Sequence, residues 1–134
     1  MVKITDEVKD IVAKTKGFAL ATATKDGTPH VIPVGFGKIF SDDELLLVDV
    51  FMKKTPDNIK ANPKVSVSVW DYDGLKGYEF KGNARIETSG SAFEESVKMV
   101  KSVFPQFDAK GAIVVKVDSI YVRSPGPEAG KLMT

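Results

Sequence analysis

The sequence predicts a mainly β chain, an antiparallel barrel or sheet of about six strands with two or three appended helices. Three observations carry this. Strand-like segments recur along the chain and are joined mostly by tight-turn signals rather than long crossovers. Val65, Val67 and Val69 alternate with Ser66 and Ser68, the period of a half-buried strand. Residues 45–50 form an apolar run broken only by Asp49, which suits a strand buried on both faces.

Thr5 is placed to cap a first helix, with Asp6 and Glu7 in its positive first turn. Ile4, Val8, Ile11 and Val12 form its apolar stripe and Gly17 ends it, so residues 1–16 read as an N-terminal helix. Residues 18–24 are β-prone, and Asp26-Gly27 is a hairpin signal. The partner strand spans residues 30–36. Pro33 removes a ladder donor there, so the strand belongs at an edge or is broken. Ser41-Asp42-Asp43 is turn chemistry.

After the buried run, Thr55 is the expected cap and Pro56 the first residue of a short helix that ends near Asn62-Pro63. Asp71-Tyr72-Asp73-Gly74 turns the chain. Tyr78, Phe80, Gly82, Ala84 and Ile86 share one face of the next strand, and Glu79, Lys81, Asn83, Arg85 and Glu87 the other. A helix over residues 91–103 carries Phe93, Val97 and Val100 on one side, and residues 112–122 are the last long strand. Ser124-Pro125-Gly126-Pro127 opens an irregular tail, 124–134. All 134 residues are expected in one domain, without internal repeats.

Composition excludes several classes. With no cysteine there is no disulfide, thiolate nucleophile, iron–sulfur cluster or cysteine-based zinc site. A single histidine, His30, excludes a multi-histidine metal site within one subunit, and no metal is expected. The net charge of +1 is too balanced for a protein that neutralises many phosphates, so nucleic acid is not an expected partner. No apolar run reaches the roughly 18 residues of a membrane span, and the N-terminus has no apolar signal core. The expected compartment is the cytoplasm, with no membrane partner.

The strongest local signal is Phe51-Met52-Lys53-Lys54-Thr55-Pro56-Asp57-Asn58. Two lysines and a hydroxyl stand at a helix N-terminus directly after a buried strand. Backbone amides, the positive end of the helix dipole and two ammonium groups would converge there, which is what a phosphate requires. Taken alone, these residues read first as a solvated basic turn with an ordinary threonine cap. A second signal is the proline-interrupted segment Pro29-His30-Val31-Ile32-Pro33-Val34-Gly35, beside Gly35-Phe36-Gly37. A strand that cannot pair fully leaves backbone groups free for a flat heterocycle. By itself the segment is first an edge strand protected from aggregation by proline. His30 has no cysteine to activate and no nucleophile elbow beside it, so it reads as a structural or surface histidine. Trp70 and Tyr78 read as core or interface anchors before ligand platforms.

In combination these segments carry a resemblance. "FALATATKDGTPHVIPVGF", "LLLVDVFMKKTPDNIKANPKVSVSV" and "GYEFKGNARI" resemble the pyridoxamine 5′-phosphate oxidase-related FMN-binding split-barrel proteins, especially their short FMN-binding-protein members, over residues 17–122. The resemblance implies a six-stranded antiparallel split barrel and a two-fold dimer with FMN at the interface. It places the phosphate on Lys53, Lys54 and Thr55, with Asn58 one turn on. It lays the isoalloxazine against two strands, here Ile32, Pro33, Val34 and Gly35 on one and Asp49, Val50, Phe51 and Met52 on the other. Two departures matter. True oxidases of this family carry an Arg-Lys pair where this chain has Lys54-Thr55, and end in an arginine- and tryptophan-containing signature missing from residues 121–131. Vitamin B6 oxidation is therefore not expected.

The reading that follows is an FMN-dependent redox protein, either an oxidoreductase or an electron carrier, with a redox partner or a nicotinamide as reductant. Without a glycine-rich dinucleotide loop, FMN is expected over FAD. The alternatives are a split barrel that has changed ligand, to a deazaflavin or to haem, and a module that binds another phosphorylated ligand without redox chemistry. A homodimer is also expected from the residues. So short a barrel buries only part of its apolar surface, and Phe51, Met52 and Trp70 lack an obvious interior place.

Overall fold

The structure is a computed structural model that describes residues 2–134. Helix α1, Asp6–Lys14, starts where the Thr5 hydroxyl accepts the Val8 N–H at 3.4 Å. Its stripe of Val8, Ile11 and Val12 is buried, and Ile4 just before it is fully buried. The helix ends at Lys14 with Thr15 extended as its C-cap, so it stops before Gly17.

The strands are β1 (Phe18–Ala23), β2 (Pro29–Val34), β3 (Gly37–Ser41), β4 (Glu44–Asp49), β5 (Lys64–Asp71), β6 (Lys76–Glu87) and β7 (Gly111–Val122). Helices α2 (Lys54–Ala61) and α3 (Ser91–Val103) interrupt them. All pairings are antiparallel, in the order β2-β1-β5-β6-β7-β4-β3, and the sheet curls into a half-barrel. The expected six strands are therefore seven. The strand expected over residues 30–36 ends at Val34. In the structure the chain leaves β2 at Gly35, and the Phe36 carbonyl accepts the Val48 N–H at 3.0 Å, so it already belongs beside β4. The two edge strands, β2 and β3, are thus joined by only two residues. A short link between opposite edges forces the sheet to curl, since the edges must meet at that end.

Local chemistry explains the rest of the frame. Gly27 holds a φ of +94° in the Asp26-Gly27 turn, a conformation that glycine enters without strain. Pro33 sits in β2, an edge strand, where a missing ladder donor costs least. At Gly82 the β6–β7 register shifts, and an added Cβ would lie 2.0 Å from the Lys116 carbonyl oxygen. Only glycine allows these strands to approach so closely.

The core is two-sided. Leu20, Leu45, Leu47, Val67, Phe80, Ile113 and Ile120 fill the concave side together with the α1 stripe, all of them nearly or fully buried. Each such side chain stabilises the fold by about 1.5–3 kcal/mol. On the other face Leu46, Ala112 and Val114 pack under Ala92 of α3, which is why β4 reads apolar throughout. The buried face of α3 is Ala92, Ser96 and Val100, so the expected stripe of Phe93, Val97 and Val100 is rotated; Phe93 packs at the margin. Tyr78 is buried in the core, where burial and its hydrogen bond to Glu7 (2.8 Å) push its hydroxyl up to about 12. Asp43, expected to serve a turn, does so while pairing with Lys116. The tail is not wholly irregular: Leu132 bridges Tyr121, and Met133 N–H donates to the Ile120 carbonyl at 2.7 Å. Among the described residues no helix is long and apolar enough to cross a membrane.

Candidate functional site

The sheet order leaves β2 paired with β1 on one side only. Across from its open edge, β4 runs out into the turn Val50–Lys53 and then into α2. Between them lies a cleft of ≈ 560 Å³. Ten of the residues picked out in the sequence line it: residues 32–35 from β2 and its exit, and residues 50–55 from the turn and the helix start.

The turn is fixed from behind. The Asp49 carboxylate, only 6% exposed, accepts the Met52 N–H at 2.9 Å. Lys110 donates its Nζ to the Met52 carbonyl at 2.7 Å, lies 3.7 Å from Asp49 Oδ1, and donates its backbone N–H to the Asp49 carbonyl at 2.7 Å. This clasp turns Met52 into the core and Phe51 outward, 68% exposed. Met52 therefore has the interior place that its position in the sequence did not promise. Asp49 itself stands behind the cleft as a support and does not line it.

At one end of the cleft α2 begins, but not as its residues suggest. Lys53 is the N-cap and makes no side-chain capping bond, while Thr55 is the second helical residue and Pro56 the third. The expected threonine cap is absent because the helix starts two residues earlier. Among the described residues nothing engages the amides of Lys54 and Thr55 at the positive end of the dipole. Thr55 is fully buried, and its Oγ1 has no hydrogen-bond partner among the described residues. An orphaned buried hydroxyl is rare, because it has lost water and gained nothing. Lys53 and Lys54 are exposed beside it. Asn58 is buried under α2 and donates to the Thr22 hydroxyl at 3.0 Å, which fastens the helix to β1 without lining the cleft.

The other end is aromatic. Phe36 and Phe104 meet edge-on at 6.1 Å, Phe51 and Phe107 edge-on at 5.0 Å, and Phe104 and Phe107 lie 5.2 Å apart. Sequence reasoning missed Phe104 and Phe107, which follow α3 about fifty residues beyond the turn they cover; the Phe-Pro-Gln-Phe pair of aromatics around a proline was the available signal. It also placed His30 outside the site, whereas His30 is half-buried and lines the cleft. Trp70 is exposed and lies away from it. No metal-binding group of carboxylates and histidines occurs among the described residues.

A family profile for pyridoxamine 5′-phosphate oxidase matches residues 4–124. The chain belongs to the pyridoxamine 5′-phosphate oxidase family. An uncharacterized protein of Methanocaldococcus jannaschii is 34% identical over 135 residues, covering 99% of this chain and 89% of that protein. The crystal structure of HupZ from Group A Streptococcus superposes with a TM-score of 0.82 at 27% identity, over 95% of this chain and 99% of the other. An FMN-binding protein from Syntrophomonas wolfei superposes at 0.77 with 18% identity, over 88% and 84% of the two chains, a likeness of fold alone. An F420 reductase superposes at 0.66 with 25% identity, over 87% and 98%. Membership brings the split-barrel fold with it.

Proposed function

We propose that the protein is an FMN-dependent redox flavoprotein, a homodimer with each FMN held at the interface. The observation that carries this is the end of the cleft where α2 begins: two lysines, unengaged helix amides and an orphaned buried hydroxyl converge. A phosphate would satisfy all of them at once. The cleft volume, ≈ 560 Å³, falls within the roughly 300–1,000 Å³ of cofactor sites.

In this reading Lys53, Lys54 and Thr55 hold the phosphate. The open edge of β2 offers backbone donors and acceptors to the ring heteroatoms, and the phenylalanines wall the ring from water. FMN supplies the electron transfer; the chain supplies placement, electrostatics and dryness. Among the described residues no carboxylate lines the cleft, so no carboxyl group is committed to a substrate as acid or base. That suits an electron carrier, or a flavin reduced by a nicotinamide, as well as a substrate oxidase. The dimer is supported by Phe51 and Phe104, which remain exposed at the cleft's aromatic end. A second copy would cover them and close the site.

Titration of the apoprotein with FMN, riboflavin and FAD tests the reading. FMN should bind at least tenfold more tightly than riboflavin; equal affinities refute the phosphate site. The likeness to an F420 reductase favours a second reading, a deazaflavin in the same cleft, and a deazaflavin included in the titration separates the two. Reduction of the bound flavin by NADH or NADPH then distinguishes an oxidoreductase from a carrier. Sedimentation should give about 29 kDa, twice 14.5 kDa, and a monomer that holds FMN tightly would refute the shared site.

A further inference from the structure

We infer that His30 is a ligand of the cofactor's phosphate end, completing with the α2 start a three-sided cradle for a phosphate monoester; this rests on the phosphate reading above. Register locates it. His30 pairs with Thr22 across the β1–β2 ladder, and the Thr22 hydroxyl accepts the Asn58 side chain at 3.0 Å. Asn58 lies three residues after Thr55, on the same side of α2. The His30 end of β2 is thus the end beside α2, while Val34, paired with Phe18, marks the end toward Phe36 and the aromatic wall. His30, Lys54 and Thr55 line one cleft from two elements, β2 and α2, each packed on β1.

Chemistry agrees with this placement. Side chains alternate along β2, so His30, Ile32 and Val34 face inward while Val31 and Pro33 face out. The imidazole is half-buried and makes no side-chain hydrogen bond or ion pair among the described residues. Its cross-strand neighbour Thr22 already accepts Asn58, and no carboxylate lines the cleft to take an imidazole proton. Two unpartnered polar side chains, one a donor nitrogen and one the buried Thr55 hydroxyl, therefore border the same space. A histidine serving only as surface decoration on β2 would take the outward register of Val31. A phosphate oxygen gives both groups the partner that the protein leaves out, with Lys53 and Lys54 neutralising its charge.

The test is the ratio of FMN to riboflavin affinity, since the two ligands differ only by the phosphate. His30→Ala should weaken FMN binding by about tenfold, a typical loss for one charge-assisted hydrogen bond, and leave riboflavin binding within twofold. His30→Gln, which keeps an N–H donor of similar reach, should recover part of the loss. Circular dichroism and Tm of both variants establish that the sheet is intact. A wild-type chain that binds riboflavin as tightly as FMN overturns the phosphate reading and this inference with it. A wild-type chain that prefers FMN, with an His30→Ala variant that keeps the same preference, overturns this inference alone. So does an equal loss of both ligands, which would make His30 a ring contact or a structural residue.

Discussion

Replacing Thr55 by valine should move stability and ligand binding in opposite directions. The Thr55 hydroxyl is fully buried and has no partner among the described residues. An unsatisfied buried polar group costs about 1–3 kcal/mol. Valine keeps the branched shape, puts a methyl where the hydroxyl stood, and has nearly the same helix propensity. The ligand-free protein should therefore gain about 1–2 kcal/mol, a rise of about 3–10 °C in Tm for a domain of this length. The same change removes a donor to phosphate worth about 1.5–3 kcal/mol, so FMN should bind roughly 10- to 100-fold more weakly. Saturating FMN then adds less to stability in the variant, because stabilisation by a ligand grows with the logarithm of its concentration over Kd. Calorimetry of wild type and Thr55→Val, with and without FMN, reads all of this. A ligand-free variant that is less stable than wild type, or an unchanged FMN affinity, refutes the reasoning. The first result would mean the hydroxyl has a partner; the second, that no phosphate reaches it.

Lys54→Ala should weaken FMN binding by about tenfold or more without changing Tm of the ligand-free protein, since the side chain is exposed and bonded to nothing among the described residues; unchanged affinity removes it from the site. Gly82→Ala should cost about 3 kcal/mol or more, because the new Cβ would stand 2.0 Å from the Lys116 carbonyl oxygen and the β6–β7 backbone must shift; a Tm within 2 °C of wild type, measured against the ~10 °C drop expected from that cost, would contradict the close approach. Acid should destabilise the fold. The Lys116 hydrogen bond holds Asp43 below the usual carboxylate range; burial pushes Glu44 up, but Arg85 and Ser41 bring it below that range too. Groups with depressed folded values stabilise the fold above about pH 4 and lose that contribution as pH falls through the folded values. Tm should be flat from pH 7 to about 5.5 and fall below about 4; a flat profile to pH 3 would mean these pairs contribute nothing.

Much of the frame was legible because it follows from neighbours along the chain. The Val65–Val67–Val69 alternation, the apolar run through Leu45–Leu47, the Asp26-Gly27 turn and the Thr5 cap each report a local period or a local bond, and each stands in the structure where it was expected. Lys53, Lys54 and Thr55 were legible as one cluster for the same reason. Tertiary structure decided what those residues face. Whether Phe36 continues β2 or joins β4 depends on which edge its carbonyl reaches, and Val48 takes it. Whether Met52 or Phe51 turns inward depends on Asp49 and on Lys110, nearly sixty residues further on. Phe104 and Phe107 reach the cleft because α3 packs on β4 and β7, and His30 reaches it because β1 sets β2 beside α2. Local periodicity fixes which side of an element is apolar. It carries no information about which distant element covers that side, and this cleft is built from elements that meet only once the sheet has curled.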